Sequence, residues 1–205
     1  MMAENGDKIL DLDESKISNK EAPSEGRFVS CDAMFSRLRT AVLIVKPADC
    51  VVSLLVAASN RGTVIGLIHT GFRGVDLDLP SKAIRHLTSV YGVNPADITI
   101  GITPHISAES YYIRSLAELR DPTKWQGFIE EKEGLYYLNT RGLLLQQYNC
   151  AGVSKDNIEV YDIDTYSAAK GNESYSERFW RLHQVSQNGR FVVAIAPGGS
   201  NMSVM

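Results

Sequence analysis

Two short stretches hold the residue types best suited to chemistry. The first is P-A-D-C-V-V, Pro47 to Val52, which sets a cysteine at the start of an apolar run just after a proline break. The second is I-H-T-G-F-R-G, Ile68 to Gly74, which closes another apolar run with His69 and sets Arg73 between Gly71 and Gly74. A turn alone would be content with Asn, Asp or Gly. A thiol and an imidazole brought together serve either metal ligation or activation of a nucleophile. A guanidinium on a glycine-flanked elbow is suited to an anion. Taken singly, Cys50 also reads as a small buried hydrophobe and Arg73 as a loop charge.

The elements that must position these groups are legible in the hydrophobic pattern. Ala41 to Val45, Val51 to Ala58 and Thr63 to Ile68 are β-branched, apolar runs of strand length, and S-N-R-G joins the last two as a hairpin. If those two strands pair, Cys50 and His69 fall at the same sheet end. Hydrophobicity that is continuous rather than alternating predicts strands covered on both faces. A helix opens at Pro80 or Ser81 and stops at Gly92, with Ala83, Ile84, Leu87, Val90 and Tyr91 as its stripe. Asp97 to Ile102 returns to strand, Asn139 caps a helix that ends near Gly152, and I-E-V-Y-D-I and R-F-V-V-A-I-A read as late strands. The fold class is therefore α+β (mixed α/β), with mixed β-sheet layers and flanking helices in a single domain. Residues 11–26 read as a polar surface segment. The chain divides into an N-terminal segment, 1–26, and a main body, 27–205.

With 205 residues, 44% hydrophobic and 22% charged, the chain can bury a substantial core. A net charge of -3 and a pI near 5.8 give no electrostatic reason to expect nucleic acid or an anionic membrane as partner. No run approaches the roughly 20 apolar residues of a membrane span, and the N-terminus lacks the basic and apolar regions of a secretory signal. Three widely spaced cysteines, Cys31, Cys50 and Cys150, suit a reducing compartment, so the expected location is the cytoplasm.

A third stretch, G-I-T-P-H-I-S-A-E-S-Y-Y-I (Gly101 to Ile113), completes a pattern. A-D-C, then H-x-G-F-R-G, then this segment resemble, in order, the T-A-D-C, H-A-G-W-R-G and G-P-A-I-G-P-C-C-Y-E-V motifs of the YfiH-like laccase-domain family. That family is also called multicopper polyphenol oxidase and has been reassigned to purine nucleoside phosphorylase. Phe72 stands for the usual Trp, and Ser107, Glu109 and Ser110 replace a Gly and two Cys. V-S-C-D-A-M-F-S (Val29 to Ser36), Y-L-N-T-R-G-L-L-L-Q-Q and Y-S-E-R-F-W (Tyr175 to Trp180) are similar to further family segments. The likeness runs from about Asn5 to Pro197.

The resemblance implies a zinc ion held by Cys50, His69 and a histidine of an N-terminal Q-V-H-G motif. Here Asn5 stands at that third position, and no histidine precedes Cys50. His105 is the substitute the sequence offers. A neutral amide oxygen is a weaker zinc donor than an imidazole nitrogen, so the zinc site is expected to be weakened. The implied activity is phosphorolysis of purine nucleosides, with adenosine deamination as a related reaction, and the implied partners are a purine nucleoside and phosphate. Cys50, His69, Arg73 and Asp49 are the expected catalytic group, with Asp49 orienting Cys50 or His69. Arg73, Ser107, Tyr111 and Arg178 are the expected substrate contacts. Two alternatives stay open: a catalytically degenerate nucleoside-binding or partner subunit, and a metal-free Cys–His hydrolase. Pairing with itself or with another chain is also left open. An oxidase with several coppers is excluded, because four histidines in all cannot supply its ligands.

Overall fold

The computed structural model describes residues 1–13, 29–184 and 189–198. The polar stretch from Glu14 to Gly26, and with it the expected boundary at 26/27, lies outside the described residues.

The centre of the molecule is the hairpin that the sequence predicts. β4 (Val51–Ser59) and β5 (Gly62–Thr70) pair antiparallel from Val51↔Thr70 to Ser59↔Gly62, across a turn at Asn60 and Arg61. Gly62 adopts a positive φ of 109° there, a conformation that costs a residue with a Cβ. Around the hairpin, β1 (Ile9–Leu12), β2 (Ala33–Ser36), β6 (Thr99–Ile102) and β10 (Ile158–Val160) complete a six-stranded sheet of order β1-β2-β5-β4-β6-β10. The outermost pairs, β1–β2 and β6–β10, are parallel, and the inner ones are antiparallel.

Both faces of this sheet are covered, which is why β4 and β5 read as continuous apolar runs. One face packs against α2 (Leu79–Tyr91) and α3 (Thr140–Cys150) through Phe35, Leu55, Ile68, Ile84, Leu87 and Tyr148. The other buries Met34, Val52, Ile65 and Leu67 against β3 (Leu43–Val45) and β11 (Val193–Ile195), which form a separate antiparallel pair. Neighbouring residues alternate between the layers, Val51 and Ile68 to the helical side and Val52 and Leu67 to the other. A third sheet, β7 (Tyr112–Ile113), β9 (Leu135–Leu138) and β8 (Ile129–Lys132), is antiparallel. The chain is thus a mixed α/β single domain, as expected.

The structure departs from expectation at several elements. Asp11 and Leu12 belong to β1 rather than to a polar surface segment. Asp11 accepts from Tyr91 Oη at 2.7 Å and meets His86 Nε2 at 2.9 Å, so a charged residue is held in an edge strand by α2. Asp7 makes an ion pair with Lys82 of the same helix. β2 and the β8–β9 hairpin were not foreseen. The strand expected from Asp97 begins instead at Thr99, after a 3-10 turn over Pro95–Asp97 that is capped by the Asn94 side chain.

Gly66 lies opposite Phe35 in the β2–β5 ladder, and a Cβ built on it would sit 2.5 Å from the Phe35 ring. That ring is fully buried. Gly66→Ala is therefore expected to destabilise the fold by about 1–3 kcal/mol, the usual cost of overpacking a core. A urea titration that left the midpoint unchanged would contradict this.

Candidate functional site

The β4–β5 register puts Val52 opposite His69 and Val51 opposite Thr70, so Cys50, just before β4, and His69, near the end of β5, share one sheet end. The backbone then turns at Gly71 into a short helix, α1 (Phe72–Asp76), so Arg73 sits on a helical turn rather than a simple elbow. A Cβ at Gly71 would lie 3.1 Å from Cys50 Sγ and 3.3 Å from Asn5 Oδ1. Contacts that tight would make both side chains give way to any larger residue at position 71, and they show that Cys50 and Asn5 converge on one point. These groups line a cleft of 1460 Å³ together with Phe72, Tyr111 and Arg178.

The residue that organises His69 is Asp32, to which the sequence reading gave no role. Its fully buried carboxylate accepts from Glu4 N at 3.0 Å and faces His69 Nδ1 at 3.9 Å, an ion-pair distance too long for a hydrogen bond. Its backbone carbonyl also accepts from His69 N at 2.8 Å. Burial alone would raise the Asp32 carboxyl. The His69 ring and the amides of Gly6 and Glu4 outweigh it and hold the group below its ordinary value. Burial likewise disfavours a charged His69, yet Asp32 and a hydrogen bond with Cys50 lift it to about 9. Asp32 and Cys50 together therefore favour the protonated form of His69. The available sequence signal was a lone Asp inside V-S-C-D-A-M-F-S, because a carboxylate buried among apolar neighbours must have a charged or hydrogen-bonding partner.

Asp49 has other partners than those expected. Its carboxylate accepts from Thr165 Oγ1 at 2.8 Å and from Arg178 N at 2.7 Å, and its carbonyl accepts from Ile106 N at 2.9 Å. Burial dominates over those bonds and raises its pKa. Asp49 thus fastens α5 (Glu177–His183) to the start of β4, while Asp32 is the carboxylate that faces His69. Ser176 caps the same helix by accepting from Phe179 N at 3.0 Å.

The aromatic wall of the cleft comes from two segments. Phe72 and Tyr111 lie 6.0 Å apart with ring planes tilted by 42°, and burial raises the Tyr111 hydroxyl above its ordinary value. Arg178 backs this wall. Its guanidinium lies 5.4 Å from the Tyr111 ring centre and 3.9 Å from that of Tyr112, and it donates to Tyr112 O at 2.9 Å. Arg73, by contrast, is exposed on the cleft and lies 5.7 Å from the Phe72 ring. Among the described residues its guanidinium has no hydrogen bond or ion pair.

Two expected site residues do not line the cleft. Ser107 is drawn the other way, because its amide donates to Asp164 Oδ1 at 3.0 Å and the neighbouring Ser110 hydroxyl donates to Asp164 Oδ2 at 2.7 Å. Asp164 is also the N-cap of α4 (Thr165–Lys170), so one carboxylate gathers the loop and the helix start. His105 is 2% exposed, and its Nδ1 donates to Thr103 O at 2.7 Å. Burial lowers its pKa, and it does not line the cleft that Cys50 and His69 share.

A catalytic zinc needs three protein donors of the imidazole, thiolate or carboxylate kind around an open position. Among the described residues no group of three His, Cys, Asp or Glu side chains converges to hold a metal ion. Cys50 and His69 supply two donors, and the third corner carries the Asn5 amide. The residues present do not fit a resident zinc.

No helix of the described residues is long and apolar enough to cross a membrane. Comparison with known proteins agrees with the arrangement of motifs. The chain is 29% identical over 168 residues to the purine nucleoside phosphorylase of Rickettsia conorii, covering 79% of this chain and 63% of that protein. It is 25% identical over 167 residues to the purine nucleoside phosphorylase of Xylella fastidiosa, covering 79% and 59%. The match spans about three fifths of the length of these relatives. In fold it is similar to the crystal structure of the hypothetical protein YfiH from Bacillus licheniformis, with a TM-score of 0.76 at 21% identity over 95% of this chain and 72% of that one. It is equally similar to YlmD from Geobacillus stearothermophilus, with a TM-score of 0.76 at 21% identity over 94% and 70%. The family profile described as multi-copper polyphenol oxidoreductase laccase matches residues 4–197. With A-D-C, H-x-G-F-R-G and the aromatic wall meeting in one cleft on this fold, the chain belongs to that laccase-like family.

Proposed function

We propose that this chain cleaves purine nucleosides by phosphorolysis in the cleft between Cys50, His69, Arg73 and Tyr111. The observation that carries the reading is Arg73, a cation on the cleft wall whose guanidinium has no partner among the described residues, in one cleft with His69 and an aromatic pair. The names of the two curated relatives point the same way. In this reading Phe72 and Tyr111 stack on the purine, and Arg73 orients inorganic phosphate towards the anomeric carbon. A phosphate oxygen forms the new bond to C1′ as the C1′–N9 bond breaks. Its electron pair enters the purine ring, which takes a proton from the His69 imidazolium. The products are ribose 1-phosphate and the free base. Asp32 remains ionised and stabilises the imidazolium before the transfer.

A second reading, binding without turnover, is favoured by Asn5 at the third metal-ligand position. One assay separates them. The purified chain is incubated with inosine or adenosine, with and without phosphate, and the products are followed by mass spectrometry. Phosphate-dependent release of base with ribose 1-phosphate is the expected result. Inosine formed from adenosine would mean deamination, base release without phosphate would mean hydrolysis, and binding with no product would leave the non-catalytic reading.

A further inference from the structure

We propose that Asn5 has taken over the third corner of the site as a hydrogen-bonding recognition group, so that this chain binds its purine nucleoside without a metal. The inference rests on the nucleoside reading above and concerns what the departure at Asn5 does. Three observations carry it. Asn5 is held in a left-handed backbone conformation, φ 56°, which Asn tolerates better than most residues. The loop around it is tied down, with Glu4 N donating to the buried Asp32 and Gly6 close enough that a Cβ on it would lie 3.3 Å from Asp32 Oδ2. Its side chain points to the spot by Gly71 that Cys50 Sγ also approaches, and it lines the cleft. Among the described residues the Asn5 amide has no hydrogen-bond partner, so both its donor and its acceptor are available to a ligand.

A primary amide offers one acceptor and two donors in a plane. That set is complementary to the N6 amino and N7 edge of adenine, the same pairing by which Asn reads adenine in nucleic acids. It is a poor match for zinc, which takes imidazole or thiolate in preference to a neutral amide oxygen. Asp32 thereby links the two polar faces of the pocket, holding the Asn5 loop through the Glu4 amide and facing the His69 ring.

The test uses the native chain, Asn5→Gly and Asn5→His. Gly fits a positive φ without strain, so Asn5→Gly removes the amide and leaves the backbone as it is. Each protein is incubated with zinc, desalted and analysed for metal by mass spectrometry, and adenosine affinity is measured by calorimetry with and without a chelator. The expected result is no retained zinc in the native chain and about one zinc per chain in Asn5→His. Native adenosine affinity should be indifferent to the chelator and should fall about tenfold in Asn5→Gly, the usual effect of losing hydrogen bonds to a ligand. Stoichiometric zinc in the native chain, chelator-sensitive binding, or unchanged affinity in Asn5→Gly would overturn the role of Asn5 alone. Adenosine binding by neither the native chain nor zinc-loaded Asn5→His would overturn the nucleoside reading itself, and the recognition role with it.

Discussion

Arg73→Ala is expected to lower kcat/KM for phosphorolysis by about 10²–10³-fold, the usual cost of deleting a preorganised group that faces developing or transferred charge. The loss should appear chiefly in the dependence on phosphate, because the guanidinium lines the cleft with no ion pair among the described residues. Arg73→Lys should recover part of it, since an ammonium keeps the charge but loses the planar fork that meets two phosphate oxygens. The fold should not register either change. Arg73 is exposed and its guanidinium makes no hydrogen bond among the described residues, so the stability cost is expected within about 0.5 kcal/mol. Steady-state kinetics with phosphate as the varied substrate, beside thermal melts, provide the check. An Arg73→Ala enzyme with an unchanged phosphate KM and kcat would remove this residue from the anion site.

The second large effect is on stability as a function of pH. The folded-state pKa of His69 is raised to about 9 from an ordinary value of 6.5. A raised histidine contributes stability that is fully present below the unfolded value and is lost as pH rises through the folded one. The window is therefore from about pH 6.5 to about pH 9, and the loss across it is roughly 3 kcal/mol, taking 1.36 kcal/mol per unit. Asp32 works in the opposite direction at the acid end. Its folded pKa is lowered, so its contribution is present above the ordinary carboxylate value and disappears as pH falls. Asp32→Asn removes the charge that faces His69 and should flatten the alkaline slope, leaving only the contribution from Cys50. Urea titrations of both proteins at pH 6, 7.5 and 9 measure this. Parallel slopes would mean that His69 is neutral in the folded protein.

The parts of this molecule that were legible in the sequence are those governed by local pattern. The β4–β5 hairpin followed from two apolar runs around S-N-R-G, and the meeting of Cys50 and His69 followed from the hairpin. The helix after Pro80 was visible from its stripe and from Gly92, which takes a positive φ of 66° at its C-cap. What stayed hidden depends on partners far along the chain. Asp11 looked like a surface residue because its stabilising neighbours, His86 and Tyr91, lie on a helix that follows much later, and Leu12 because the cluster around Met34 and Leu43 that it packs against also follows it in the chain. Asp32 and Asp49 are both carboxylates flanked by apolar residues, and no local signal says which one faces the imidazole. The three-dimensional partners decide it, since Thr165 and the Arg178 amide engage Asp49 and leave Asp32 to His69. Ser107 and His105 looked available to the cleft because each lies within the third family-like motif, Gly101 to Ile113. Asp164 and the Thr103 carbonyl hold them elsewhere.

The two-residue turn at Asn60 and Arg61 also bears on the order in which the molecule comes together. Closing it costs little chain entropy, because the strands it joins are contiguous and their pairing proceeds by short steps from Ser59↔Gly62 outward. The thiol and imidazole can therefore be juxtaposed from a local piece of chain. The groups that flank the cleft, Asn5 on one side and Arg178 on the other, each have to close a long loop to reach them. A chain as far as β5 already holds Cys50, His69 and Asn5 but still lacks Phe72, Tyr111 and Arg178 of the cleft wall. Completion of the cleft thus waits on long-range closures, with the carboxylates of Asp32 and Asp49 fastening its two distant sides.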